Sequence, residues 1–220
     1  PPLQPAAPPV NFFWIMPELN REMLSANARI DTPHHWSSRW TQWLVNARGV
    51  LYWSTPAENG TTASIYLLGN PIVVWGCLAG VAAATVSAVL VLRYRGFAPQ
   101  LLKRALGESA VPGKGTRVSS KAFTTHKVLA YLLCTYLFNL LPYIAVSRAA
   151  FVYHYMPGLM YAQLATALWL DWVAGKHSAK ACQAFTIASA CTFLYFCPWV
   201  YGLPLTADGH ASRRWLSTWD

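Results

Sequence analysis

Leu67 to Leu92 reads LLGNPIVVWGCLAGVAAATVSAVLVL and holds no charged residue. A helix needs about 20 apolar residues to cross a bilayer, so this stretch is long enough to span with some tilt. Asn70-Pro71 marks its entry. Gly76 and Gly80 stand four apart, the spacing that lets membrane helices approach closely. Three more apolar runs follow, at 128–147, 158–174 and 181–201, and Asn139 and Pro142 interrupt the first of these near its far end. Only 11% of the 220 residues are charged, against about 25% in an average soluble domain. The fold class expected is an all-α integral membrane protein, with four transmembrane helices over 65–202 and interfacial amphipathic helices beside them.

Charge in the connecting segments sets the orientation. Between Arg93 and Lys127 lie eight basic residues against a single acid, Glu108. The short connection after the third run holds Lys176 and Lys180, whereas the one before it holds only Arg148. With the two basic connections cytoplasmic, both chain ends fall on the opposite, luminal face. The basic loop 93–127 then serves as a topology signal that can also touch anionic membrane lipid. The net charge of +9 is explained by this loop, and no nucleic-acid partner is expected.

The flanking regions read as follows. Residues 1–11 are a Pro-rich linker, since proline fixes φ and lacks a backbone donor. A chain that starts with Pro is expected to be a piece of something longer. Residues 12–64 form a luminal or interfacial amphipathic segment. It opens with a helix over 12–30, in which Pro17 and Glu18 suit the first turn. Trp36, Trp40 and Trp43 at i, i+4 and i+7 suit one helical face at the headgroup level. Residues 54–64 read as a polar loop with an N-glycosylation sequon at Asn59. Residues 203–220 form an amphipathic luminal tail, where Arg213 and Arg214 can meet phosphate or simply face solvent.

The five cysteines lie in or beside apolar runs without a CxxC pair, which reads as small buried hydrophobes. No metal site is expected. Asp171 is the one acid inside a predicted span, and a pairing with Lys176 or with water is expected for it.

Phe151 to Gln163, FVYHYMPGLMYAQ, puts polar aromatics and His154 at the entry of the third span, with Arg148 just upstream. A transferase that uses a lipid-phosphate sugar needs a phosphate-binding cation, a groove for the lipid and a carboxylate base. Arg148 and His154 offer the first. The helices and Gly158 offer the second. The luminal acids lie outside any DxD, paired-carboxylate or HExxH motif, so no catalytic residue is assigned within this chain.

These motifs carry a family resemblance. HHWSSRWTQWLVNARGVLYW (34–53), IYLLGNPIVVW (65–75), the run from Arg148 through FVYHYMPGLMYA, and PLTADGHASRRWLSTW at the end stand in the order seen in the protein O-mannosyltransferases. The chain resembles that family's C-terminal four-span region from about residue 12 on. Leu44 follows Trp43 where the family usually has Pro. The family's N-terminal membrane half with its acidic motif, and the luminal β-trefoil repeats of eukaryotic members, have no counterpart here.

The resemblance implies transfer of mannose from dolichyl-phosphate-mannose to Ser or Thr of secretory proteins. It implies a multi-pass protein of the endoplasmic reticulum membrane that pairs as a homo- or heterodimer with a family member. It implies no cofactor beyond the donor substrate, and a catalytic base in the missing half. Arg148, Tyr153, His154 and Tyr155 become the donor-site candidates, with His34, Arg39, Trp40 and Asn70 as secondary ones. Two other readings stand beside it: a non-catalytic membrane scaffold that stabilises a partner, and a small transporter, which the lack of an internal repeat disfavours.

Overall fold

The computed structural model describes residues 11–29, 34–93, 120–146 and 148–219. Helix α1 (Phe12–Ala28) and the short α2 (Trp40–Leu44) precede a hairpin of β1 (Val50–Pro56) and β2 (Thr62–Leu67). Four long helices follow, α3 (Pro71–Arg93), α4 (Ser120–Leu140), α5 (Met156–Ala174) and α6 (Ser178–Val200), and then the short α7 (Ala207–Arg213). Most of the expected linker 1–11 and most of the basic loop 93–127 lie outside the described residues.

Among the described residues, three helical stretches are long and apolar enough to span, over 71–93, 122–144 and 152–200. The third has 49 residues, and a straight helix of that length would reach about 74 Å, more than twice the hydrocarbon thickness. It is not straight. Gly175 sits at φ +49° and ψ −119°, a backbone that a Cβ would disfavour. The chain folds back there, and α5 and α6 pack side by side.

α5 touches α3, α4 and α6, and α3 also packs against α4 and α6. Small residues bring the axes close: Ala84, Ala88, Ala162 and Ala165 are buried between them. The two glycines of the GxxxG pair serve different neighbours. A Cβ on Gly80 would overlap Thr166 of α5, and one on Gly76 would overlap the Phe185 ring of α6. The Trp169 indole donates to Ser87 Oγ at 3.0 Å, satisfying a polar pair that lipid could not.

The hairpin corrects the expectation of a polar loop at 54–64. Asn59 (φ 55°) and Gly60 (φ 71°) make its turn, as Asn-Gly does in tight hairpins. Ser54 faces Ser64 and Pro56 faces Thr62 across the ladder. The Ser54 and Ser64 hydroxyls share a hydrogen bond of 3.0 Å. A third short element joins the edge, since Thr62 and Leu205 exchange backbone bonds at 2.8 and 2.9 Å.

Other expectations change with the contacts. Trp36 precedes the five-residue α2, so Trp36, Trp40 and Trp43 do not share a helical face, and Trp43 is buried rather than anchored among headgroups. Pro17 lies inside α1, because Asn11 starts the helix by accepting the Phe13 N–H on Oδ1 at 3.0 Å. Among the cysteines only Cys77 is buried, while Cys134, Cys182 and Cys191 lie on outer faces. Asp171 is exposed, and no ion pair joins it to Lys176 among the described residues.

Candidate functional site

The site begins where α4 ends. Pro142 cannot continue the helical ladder, and Leu141–Ile144 tightens into a 3-10 turn. After Arg148 the chain makes a second 3-10 turn, Val152–Tyr155, and Pro157 then opens α5 within its first turn, where its missing N–H costs nothing. Turn geometry sorts the side chains. Val152 and Tyr155 are buried, His154 is half-buried, and Arg148 and Tyr153 are exposed.

Tyr155 faces the bundle, its hydroxyl 3.3 Å from that of Tyr136. His154 lies in an aromatic box. It stacks on Tyr153 at 4.5 Å and on Trp43 at 6.1 Å, with Tyr143 edge-on at 5.6 Å. Its Nδ1 is 3.1 Å from both the N–H and the carbonyl of Phe151. Bare, it accepts from the N–H; protonated, it donates to the carbonyl. Nε2 has no hydrogen-bond partner among the described residues, so the ring is held at one nitrogen and open at the other.

Residues 34–46 cover this turn. The Ser38 N–H donates to Ala150 O at 2.7 Å, and the His34 ring meets Phe151 edge-on at 5.0 Å. The Trp43 indole donates to Ser38 Oγ at 2.9 Å. Trp40 packs on the same core, and Arg39 is exposed, its backbone N–H donating to Gln42 Oε1 at 2.7 Å. Arg148, Tyr153, His154 and Tyr155 therefore share one turn, with His34, Arg39 and Trp40 on the segment that covers it. Asn70 is committed elsewhere. Its Nδ2 donates to Ser189 O at 2.8 Å and its Oδ1 accepts the Val73 N–H at 3.3 Å, so it caps α3 and ties it to α6.

Sequence reasoning did not single out Trp43 or Tyr143 as walls of the box, nor Arg48. The Arg48 guanidinium lies over the Trp36 ring at 5.6 Å, and its buried Nε has no hydrogen-bond partner among the described residues. A lone Arg in the otherwise uncharged run Trp40 to Trp53 was the available signal. Glu18, Glu22, Glu58, Asp171 and Asp208 are all exposed, and none bonds to the turn. The arrangement can bind and orient a polar or anionic group; Asp31 and Asp220 lie outside the described residues, and among the described ones no carboxylate bonds to the turn.

The tail closes onto the same end of the bundle. The Trp219 indole is buried and donates to Asn46 O at 2.7 Å, and the Thr218 hydroxyl donates to Ala47 O. Farther along the helices, an apolar groove of about 630 Å³ runs between α3 and α4, lined by Val81, Ala88, Leu133 and Leu137 and ending at Arg93.

A family model described as the C-terminal four-TMM region of protein-O-mannosyltransferase matches residues 12–219. Dolichyl-phosphate-mannose–protein mannosyltransferase 1 of Saccharomyces cerevisiae is 27% identical over 96% of this chain and 24% of its own length. Protein O-mannosyl-transferase 1 of Danio rerio is 27% identical over 92% of this chain and 27% of its own length. The chain thus spans about a quarter of the length of these curated relatives. A solved structure of the S. cerevisiae protein O-mannosyltransferase Pmt1-Pmt2 complex bound to the sugar donor aligns with a TM-score of 0.76. It is 27% identical, over 97% of this chain and 28% of that one.

Proposed function

The chain belongs to the protein O-mannosyltransferase family, in its C-terminal four-span region, and on that premise we propose that it helps move mannose from dolichyl-phosphate-mannose to Ser or Thr of secretory proteins. The observation that carries this reading is the 148–155 turn. It holds an exposed cation and a half-buried imidazole with one nitrogen open, at the end of a membrane bundle and beneath an aromatic cover.

In this reading Arg148 neutralises the donor phosphate and His154 donates to it or to the sugar through Nε2. Tyr153 offers its ring to the sugar, and Tyr155 holds the turn to α4. The α3–α4 groove takes part of the polyisoprenoid chain. The catalytic base comes from outside this chain. The whole protein works in the endoplasmic reticulum membrane, with the turn luminal, beside a second family member. Asn59, exposed at the hairpin tip, carries an N-glycan.

The scaffold alternative draws on one observation, the absence of a carboxylate from the turn among the described residues. The test compares both. Microsomes with the full-length protein receive labelled dolichyl-phosphate-mannose and a Ser/Thr-rich peptide. His154→Ala lowers transfer at matched expression, and Arg148→Ala raises the donor requirement more than the acceptor requirement. Wild-type transfer by both variants would leave the turn a brace.

A further inference from the structure

One residue belongs both to the apolar groove and to the 148–155 turn. The groove is lined by Val81, Ala88 and Leu92 of α3 and by Ala130, Leu133 and Tyr136 of α4. From Val81 to Leu92 it follows α3 for about 17 Å at the helical rise. Thr85, also in its wall, turns its hydroxyl back to Val81 O at 2.7 Å. Among the described residues the lining carries no charge before Arg93. Both walls belong to spanning stretches, so the groove lies at hydrocarbon depth. Val89 and Leu137 on its rim are exposed, which leaves it open along one side.

The end nearer the turn is polar in one atom. Ala130, Leu133 and Tyr136 follow at intervals of three along α4, which runs toward the turn. Tyr136 is 4% exposed, and its hydroxyl lies 3.3 Å from that of Tyr155, with the two rings edge-on at 6.4 Å. A phenol at membrane depth needs a polar partner. Among the described residues, each of these hydroxyls has the other as its hydrogen-bond partner. Tyr155 ends the 3-10 turn, and His154 precedes it by one rigid peptide unit. The placing of Tyr155 therefore carries directly to the imidazole.

Resting on the donor reading of the turn given above, we propose that Tyr136 is a positioning residue for the donor. Its ring meets the polyisoprenoid chain in the groove and its hydroxyl sets Tyr155, so that the lipid tail and the phosphate site are read together. The connection selects the occupant. A chain whose phosphate sits at the turn passes the Tyr136 end of the groove first, whereas an acyl chain of bulk phospholipid is tethered nowhere near it. A chain in the groove restricts the Tyr136 ring and excludes water from its hydroxyl, and a hydrogen bond sealed in apolar surroundings is the stronger for it. A donor too short to fill the groove leaves Tyr136 unsettled.

The test uses the full-length protein in nanodiscs with two donors, mannosyl phosphate carried on dolichol and on citronellol, whose short chain cannot fill the groove. The readout is the ratio of the two kcat/KM values at a fixed acceptor peptide. Tyr136→Phe keeps the ring and removes the hydroxyl. It is expected to lower the preference for dolichol about fivefold, which is about 1 kcal/mol, the usual worth of one hydrogen bond. The loss falls on the donor KM, with the acceptor KM unchanged. Tyr155→Phe reaches the same bond from the other side and gives the same loss, and the double variant adds nothing to either. Ala130→Phe, which fills the groove, also lowers the preference. An unchanged preference in Tyr136→Phe and Tyr155→Phe, or an equal loss with both donors, makes the pair a brace and overturns the proposal. An unchanged preference in Ala130→Phe overturns the groove as the place of the tail. Wild-type transfer from both donors by His154→Ala and Arg148→Ala would instead remove the donor reading on which the proposal stands.

Discussion

Two aromatic segments precede the first span, and both read as membrane-surface elements. They end in opposite environments. On α1, Phe12, Phe13 and Trp14 are 66%, 79% and 77% exposed. In the covering segment, Trp43 is 1% exposed. The difference lies in the partner available to each indole. Trp43 finds Ser38 for its N–H, Tyr143 edge-on at 4.9 Å and His154 in parallel. No such partners surround Trp14 among the described residues. An aromatic residue with an amphipathic body settles at an interface when nothing else satisfies its polar end, and enters a core when something does.

The largest effect that would break this comparison is at Trp43. Trp43→Ala removes a buried indole and leaves the Ser38 hydroxyl without its donor, and truncations of this kind cost roughly 3–5 kcal/mol. Melting of the detergent-solubilised protein should fall accordingly, and the transfer proposed above for the full-length protein should fall with it, because the wall of the His154 box is gone. A variant that melts like wild type would place Trp43 with Trp14, as an anchor.

Trp219 sharpens the same contrast from the other end of the chain. It is buried against Trp75 and Phe196 and holds Asn46 O, so it locks the loop that follows α2. Trp219→Ala is expected to cost about 3 kcal/mol, within the range for truncating a large buried aromatic. Amide exchange at residues 45–48 should rise in the variant. Ser38→Ala is expected to cost about 1 kcal/mol, the usual worth of one hydrogen bond. Its readout is the indole environment of Trp43, followed by near-ultraviolet circular dichroism.

Legibility follows the range of the deciding interaction. The spans were readable because an apolar run of about twenty residues with at most one charge has few other fates. The break at Pro142 was readable because it is a local backbone constraint. The hairpin was not: Ser54, Thr55, Thr62 and Ser64 look like loop residues, and only their pairing across the ladder and with Leu205 makes strands of them. The polar members of the turn, Arg148 and His154, stood out against an apolar background. Trp43 did not, because its fate is set by Tyr143 and His154, a hundred residues later. Asn70 looked like a candidate for the same reason as His154, and its role as a cap is visible only once Ser189 is placed beside it. Arg213 looked like a phosphate ligand or a solvated charge, and its donation to the Tyr195 carbonyl is visible only in the fold.

The smallest expected effect is at Trp14, and it tests the exposed half of the comparison. Trp14→Ala should change stability by less than about 0.5 kcal/mol, as for a surface position without partners. That null result alone would fit any solvated helix. The informative measurement places Trp14 in depth. The amphipathic helix has Met16, Leu19 and Met23 exposed together with Phe12 and Phe13, and a helix of this kind buries its apolar face some 5–10 Å into the interface. Selective cross-linking of a photoactivatable residue at position 14 should then capture lipid from nanodiscs. Capture of protein alone would mean that α1 is covered by polypeptide, and its aromatics would belong with Trp43, as core residues whose partner lies outside the described chain.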